Sequence, residues 1–377
     1  MKPRFRELVN IARLEARMDA AGLDAIVARA GINLCYLAGF AYPGTLARHV
    51  DLADSPRPIY LIWPRKGEPR MVLNAIAEGL SRRDSWIEQF DAYAAYIDNP
   101  AERLAESLTA MGLADARVGF ERNYVSAADW DTIAKRLPRL RMMDSAPVMD
   151  DVRMVKTEGE IALFKKGADI LDDAFMTCFP KVRPGMRERD LHGLLMNACL
   201  AGGCEFVHGI LNSSRNTIAY AGESDFAFAA GDAIRTDYVA YYKGYPGHQS
   251  RCAVVGKATP AQKTEYRVIR DLYRGACAQL RPGRTAGDVC AFVTESFGKA
   301  GLPYKPIIAG HGVGAWWHQQ EPIISRDNPR VLEEGMVIAM EPHVNHWHIQ
   351  DILVIRKDGA EVISSKMSTD EVFECVG

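Results

Sequence analysis

Residues 307–322 read IIAGHGVGAWWHQQEP, which sets His311 among glycines at 310, 312 and 314 and places His318 seven residues further on. Glycines permit close backbone approach and dihedrals that larger residues resist. A catalytic or ligating histidine fits such a setting, and a buried, hydrogen-bonded histidine in a glycine-rich turn is the structural alternative. Six of the nine histidines lie between residues 248 and 348, so the candidate chemistry concentrates in the last third of the chain.

The segments on either side carry the partners. GDAIRTDYVAYYKGYPGHQSRCAVVG, residues 231–256, reads as two strands joined by a turn near Lys243 and Gly244, so a hairpin can bring Asp237 and His248 together. Met336–Glu341 reads as a strand. In the EPHVNHWHIQD that follows, His346 and His348 share strand parity while His343 lies nearer a turn. An Asp, a Glu and two or more histidines can coordinate a borderline divalent metal. Structural hydrogen bonding accounts for each histidine equally well.

An internal repeat organises this part of the chain. Arg183-Pro184-Gly185 with Asp190 recurs 98 residues later as Arg281-Pro282-Gly283 with Asp288, each copy followed by an apolar helical pattern and then by Gly203 or Gly301. Thr157 and Glu160 form a candidate capping box ahead of the first helix. Two related α+β halves sharing a central sheet are expected over residues 149–377, with a pocket between them.

Residues 1–148 are expected to form an α/β domain. Leu8, Ile11, Leu14 and Met18 space out an amphipathic helix ending before Gly22. Leu23–Ala28, Leu34–Ala38, Ile59–Trp63, Arg70–Leu73 and Arg117–Phe120 read as strands. Residues 98–113 read as a helix, and Ser126 as the cap of another. No GxGxxG or GxxxxGK loop supports a nucleotide function. In the loop Tyr42–Arg57, an arginine such as Arg48 could clamp a substrate carboxylate across a domain or subunit boundary.

Composition bounds the partners. The 377 residues are 48% hydrophobic and 25% charged, and Lys plus Arg at 46 against Asp plus Glu at 48 give a formal charge of -2. That is a globular chain with no broad electrostatic case for nucleic acid or an anionic membrane, and no apolar run spans a bilayer. The opening MKPRFRELVNIARLEARM becomes amphipathic at Glu7 and Glu15, which lacks a secretory core and points to a cytoplasmic protein. The eight cysteines are scattered without metal-knuckle spacing, as expected of reduced, buried thiols.

With LEEGMVIAMEP, GHGVGAWWH and the connection DDVRMVKT, the chain resembles the creatinase, prolidase and methionine-aminopeptidase superfamily over nearly its whole length. The resemblance implies an α/β N-terminal domain and an α+β C-terminal domain of pita-bread fold with internal pseudo-twofold duplication. The family's metallopeptidases hold two metal ions with an Asp, Asp, His, Glu, Glu set, whereas creatinase-like members work without metal. By motif position the first Asp is Asp237, the histidine is His311 and the penultimate Glu is Glu341. His318 matches a second histidine that contacts substrate or intermediate.

The departures mark an atypical member. His248 stands where the second Asp belongs, and ungapped matching puts Ile349 at the last Glu, with Gln350 beside it. NSSRNTIAYAG keeps Asn216 but has Tyr220 or Ala221 near the place of an upstream histidine. The resemblance then implies either one divalent ion on Asp237, His248, His311 and Glu341, or no cofactor. In the second case His248 or His311 is general base, Glu341 orients water or shuttles a proton, and His318 stabilises developing negative charge. Tyr220, Arg48, His49 and Trp316 are the candidate substrate-binding residues. The expected function is hydrolysis of a non-peptide C–N bond in a small amide, amidine, urea or cyclic amino-acid derivative. The alternatives are an Xaa-Pro dipeptidase- or aminopeptidase-like metallohydrolase, a small-molecule lyase, and a catalytically inactive binding protein. A homodimer is implied, one N-terminal domain closing the other subunit's pocket over a small-molecule substrate.

Overall fold

The computed structural model describes residues 5–39, 57–218, 224–302, 304 and 307–376. The chain divides into two compact units, Met1–Arg153 and Met154–Gly377. Arg48, His49 and Tyr220 lie outside the described residues.

The first unit is built on one mixed sheet. Its helices are α1 (Ile11–Ala21), α2 (Ile32–Ala38), α3 (Ala75–Asp84), α4 (Pro100–Ala110), α5 (Ala127–Arg136) and α6 (Ala146–Met154). Its strands are β1 (Ala25–Arg29), β2 (Tyr60–Pro64), β3 (Arg70–Asn74), β4 (Gln89–Tyr93), β5 (Arg117–Phe120) and β6 (Arg141–Asp144), in the order β4-β3-β2-β1-β5-β6. Strands β1 and β2 are buried at every position and pair antiparallel, while β5 runs parallel to β1. Asn99 and Ser126 cap α4 and α5 by accepting backbone N–H groups, each cap stabilising its helix by about 1 kcal/mol. Leu34–Ala38, expected as a strand, belongs to α2. A short run apolar on every side suits a buried helix as well as a strand, and Leu34, Tyr36, Leu37 and Ala38 are all buried.

The second unit pairs helices with two sheets. Its helices are α7 (Glu158–Cys178), α8 (Glu188–Ala201), α9 (Pro260–Cys277) and α10 (Ala286–Lys299). Strands β7 (Phe206–Ser213), β8 (Ala233–Tyr242), β9 (Tyr245–Gln249), β10 (Ala253–Val255), β11 (Ile308–Gly314), β12 (Trp317–Ser325) and β13 (Val337–Met340) come first. They are followed by β14 (His343–Val344), β15 (Trp347–His348), β16 (Asp351–Arg356), β17 (Gly359–Val362) and β18 (Phe373–Cys375). One sheet runs β18-β10-β8-β7 with β9 added on β8, and the other β12-β11-β13-β16-β17. An isolated bridge between Ser250 and Gln350 links them.

Each sheet has its own apolar core. Phe175 and Leu171 of α7 and Leu191 and Leu195 of α8 pack with Leu211, Tyr238 and Ala253. Val289 and Phe297 of α10 and Tyr266 and Ile269 of α9 pack with Ala309, Ile338 and Leu353. Full burial of each such side chain contributes roughly 1.5–3 kcal/mol. The expected capping box starts α7: Thr157 Oγ1 accepts from the Glu160 N–H at 3.2 Å, and Glu160 Oε2 accepts from the Thr157 N–H at 2.9 Å. Among the described residues no helix is long and apolar enough to cross a membrane.

Candidate active site

Strand alternation divides the side chains of β8 between two faces. Ile234, Tyr238 and Ala240 enter the apolar core beside α7 and α8, which leaves Arg235, Asp237, Val239 and Tyr241 on the other. The antiparallel register sets His208 of β7 and His248 of β9 on either side of Val239. Asp237 then meets His248 diagonally across the hairpin, with Oδ1 3.1 Å from Nε2.

His311 sits in mid-strand, not in a turn, paired with Ala339 of β13 and Ile323 of β12. Neither Gly310 nor Gly312 takes a positive φ. Their missing side chains instead make room for neighbouring strands, since a Cβ at 310 would run into the Ala339 carbonyl and one at 312 into the Glu321 carbonyl. His311 Nδ1 is 3.0 Å from the Gly312 carbonyl. A carbonyl only accepts, so Nδ1 carries the proton and Nε2 the lone pair. That nitrogen lies 3.9 Å from Glu341 Oε1, at the end of β13.

The β11–β12 turn docks on the β8–β9 hairpin. The Trp316 N–H donates to the Gly244 carbonyl at 2.6 Å, and its indole stacks on Tyr241 at 5.9 Å with the planes 9° apart. Gly244, at φ 81°, lies under that indole, which any Cβ would strike. His318 Nδ1 is 3.3 Å from the Tyr241 hydroxyl, and its ring centroid is 5.0 Å from those of His208 and His248.

The hairpin β14–β15 corrects the histidine parity expected after Glu341. His343 pairs with His348, their rings 4.3 Å apart, while His346 lies in the intervening turn. Arg235 reaches between them, its Nε 3.4 Å from His348 Nδ1 and its Nη2 3.4 Å from His343 Nε2. A guanidinium only donates, so both nitrogens present lone pairs. His343 Nδ1 then donates to the Glu341 carbonyl at 2.9 Å, and the protonated Nε2 of His348 faces Glu341 Oε2 at 4.0 Å. Ile349 is buried in the apolar core. The polar position next to the site belongs to Gln350, whose Oε1 accepts from Ser250 Oγ at 3.0 Å.

Burial and neighbouring charges separate the two carboxyls. Burial pushes Asp237 up, but the hydrogen bond and charge of His248, with His348 and Arg235, outweigh it and hold the group well below the usual carboxylate range. Burial and then the Asp237 charge push Glu341 up to about 8, against Arg235. Burial, followed by the His248 charge, drives His311 and His318 down to about 3. An ionised carboxylate, a carboxylic acid and neutral imidazoles in one small space are the components of general acid–base catalysis.

The Asp, Asp, His, Glu, Glu set of the family's two-ion members does not fit these residues. His248 turns Nε2 onto Asp237, Gln350 supplies an amide, and Arg235 adds a cation against the remaining pair of carboxyls. Among the described residues, no group of three or more His, Cys, Asp or Glu side chains could hold a metal ion. Sequence reasoning missed Arg235, His208, Tyr241 and Ser250. Arg235 and Tyr241 share parity with Asp237, which was the available signal, whereas His208 and Ser250 depend on strand pairing.

Comparisons with known proteins agree with this architecture. Residues 162–361 match the model of metallopeptidase family M24, and residues 10–155 that of the creatinase/prolidase N-terminal domain. The chain is 30% identical to the Xaa-Pro dipeptidase of Pyrococcus furiosus over 57% of its own length and 64% of that protein. To the Xaa-Pro dipeptidase of Lactobacillus delbrueckii it is 23% identical over 93% and 95%. The solved Xaa-Pro dipeptidase of Bacillus anthracis shares the fold, with a TM-score of 0.81 at 20% identity, over 97% of this chain and 98% of that one. These relatives overturn the expectation of a non-peptide C–N substrate, because they are named for cleaving peptides. With the family model covering more than half of its length, the chain belongs to metallopeptidase family M24, carries a creatinase/prolidase N-terminal domain, and is a hydrolase of carbon–nitrogen bonds.

Proposed function

We propose that this protein hydrolyses the peptide bond of short Xaa-Pro-type substrates, as the names of its relatives suggest, using side chains in place of the two-ion centre. The observation that carries the reading is the Asp237–His248 pair beside a Glu341 carboxyl raised to about 8. Asp237 accepts the Nε2–H of His248 and fixes its tautomer, which leaves Nδ1, buried and without a hydrogen-bond partner, as a base for water. Glu341, protonated at neutral pH, donates to the leaving amine. His311 Nε2 can take part in returning that proton, and neutral His318 offers a ring N–H to the developing oxyanion.

Two further features belong to the same reading. The halves of the catalytic unit are related by duplication: Gly185 and Gly283 of the two RPG turns both take φ 87°, and after each turn an Asp at the third helical position accepts the N-cap N–H, Asp190 from Arg187 and Asp288 from Thr285. The working form is a cytoplasmic homodimer.

The test is product analysis by mass spectrometry on Xaa-Pro dipeptides, Xaa-Pro-Yaa tripeptides and Pro-Xaa controls, with and without added Mn²⁺. Release of proline from the dipeptides, or of the first residue from the tripeptides, is expected. Cleavage of none of them under either condition rejects the reading.

A further inference from the structure

Two imidazole lone pairs close to Glu341 face a guanidinium. Arg235 precedes Asp237 by two residues on β8 and so shares its face. It is buried, at 8% exposure. The β14–β15 register aligns His343 with His348, and Arg235 engages one nitrogen of each at 3.4 Å. A nitrogen so engaged is closed to a metal ion, because an imidazole binds a cation through its lone pair. His248 turns its Nε2–H onto Asp237, so on that side it presents a proton and not a lone pair. Gln350, held by Ser250, supplies no charge where a carboxylate would attract an ion.

We propose that Arg235 is the resident cation of this site: clamped between His343 and His348, it takes the place of the divalent ions of an M24 centre and bars them from binding. The enzyme's positive charge is then part of the chain, fixed by strand register and independent of metal supply. A guanidinium is charged at every physiological pH and cannot be stripped by a chelator. A divalent ion entering beside it meets like charge in a water-poor setting, where Coulomb repulsion is several times stronger than in water.

The inference rests on family membership and site geometry, not on the peptide substrate, and its test reads metal binding, not turnover. Wild type, Arg235→Gln and Arg235→Lys are equilibrated with Zn²⁺ or Mn²⁺. Bound metal is measured by mass spectrometry after dialysis, and affinity by calorimetry. Wild type and Arg235→Lys are expected to retain no stoichiometric metal. Arg235→Gln, nearly the same size but neutral, should bind at least roughly 100-fold more tightly than wild type. Far-UV circular dichroism selects the folded variants, and Arg235→Leu serves as the neutral variant if Arg235→Gln does not fold. About one ion per wild-type chain, or a folded neutral variant binding no more tightly than wild type, overturns the proposal.

Discussion

Replacing Arg251 by Met tests how the site is held in place. Arg251 is 1% exposed. Its guanidinium lies 2.9 Å from Asp172 and 3.0 Å from Asp351, and it donates to the carbonyls of Ser250 at 3.1 Å, Gln350 at 2.8 Å and Ser364 at 2.9 Å. It thereby ties the end of β9 to the start of β16, on either side of the Ser250–Gln350 bridge. Methionine fills much of the volume but leaves two buried carboxylates and three carbonyls without their cation. Breaking a buried ion network from one side costs about 3–5 kcal/mol. The lower half of that range is expected, because Asp172 still accepts the N–H groups of Lys366 and Met367, and Asp351 the hydroxyls of Tyr273 and Ser364. A loss of about 3 kcal/mol corresponds to roughly a hundredfold faster exchange of protected amides. Hydrogen-exchange mass spectrometry should find it in peptides covering β16, with β1 and β2 of the first unit unchanged. Adding Asp172→Asn removes one stranded charge and should recover about 1 kcal/mol or more. Acceleration below about tenfold in β16 would refute the assignment of Arg251 as the tie between the two sheets.

Glu341→Gln keeps the shape of the site and removes its acid. Turnover of whichever Xaa-Pro substrate is cleaved should fall about 10²–10⁴-fold with the fold intact, and a loss below about tenfold would take Glu341 out of proton transfer. Stability should peak near neutral pH. Below the ordinary histidine value of 6.5 the unfolded chain binds protons that His311 and His318 refuse until about 3, and His208, His343, His346 and His348, held down chiefly by burial, add to that slope, which outweighs the single proton Glu341 retains above its ordinary 4.5. Between neutrality and about 8 the extra proton that Glu341 holds in the fold makes stability fall by up to about 1.4 kcal/mol per pH unit. Urea midpoints across this range should show both slopes in wild type and lose the alkaline one in Glu341→Gln. An alkaline slope that survives the substitution would assign it elsewhere.

Features set by near neighbours in the chain are legible in the sequence. The Thr157–Glu160 capping box, the Ser126 cap and the hairpin carrying Asp237 and His248 each need only a turn or a helix start, and each forms. What escapes depends on pairing between distant strands. His311 reads as a turn residue because its glycines suggest unusual dihedrals, yet they exist so that β12 and β13 can lie close on either side. His343 and His348 come together only because a turn at Asn345 and His346 sets a register that counting by two from His346 misses. Ile349 and Gln350 trade places for the same reason, since the bridge to Ser250 decides which side chain meets the site. Missing ligands carry no information about which bond is cleaved, and the substrate expectation built on them fails. Arg235 is the readable exception. A charged residue two positions before Asp237, on a strand whose other face is apolar, has to share the buried polar face with it. Such a burial is costly unless the charge is compensated. The two imidazole lone pairs that face it and the Asp237 carboxylate supply that compensation, and they tie the position of the cation to the chemistry of the site.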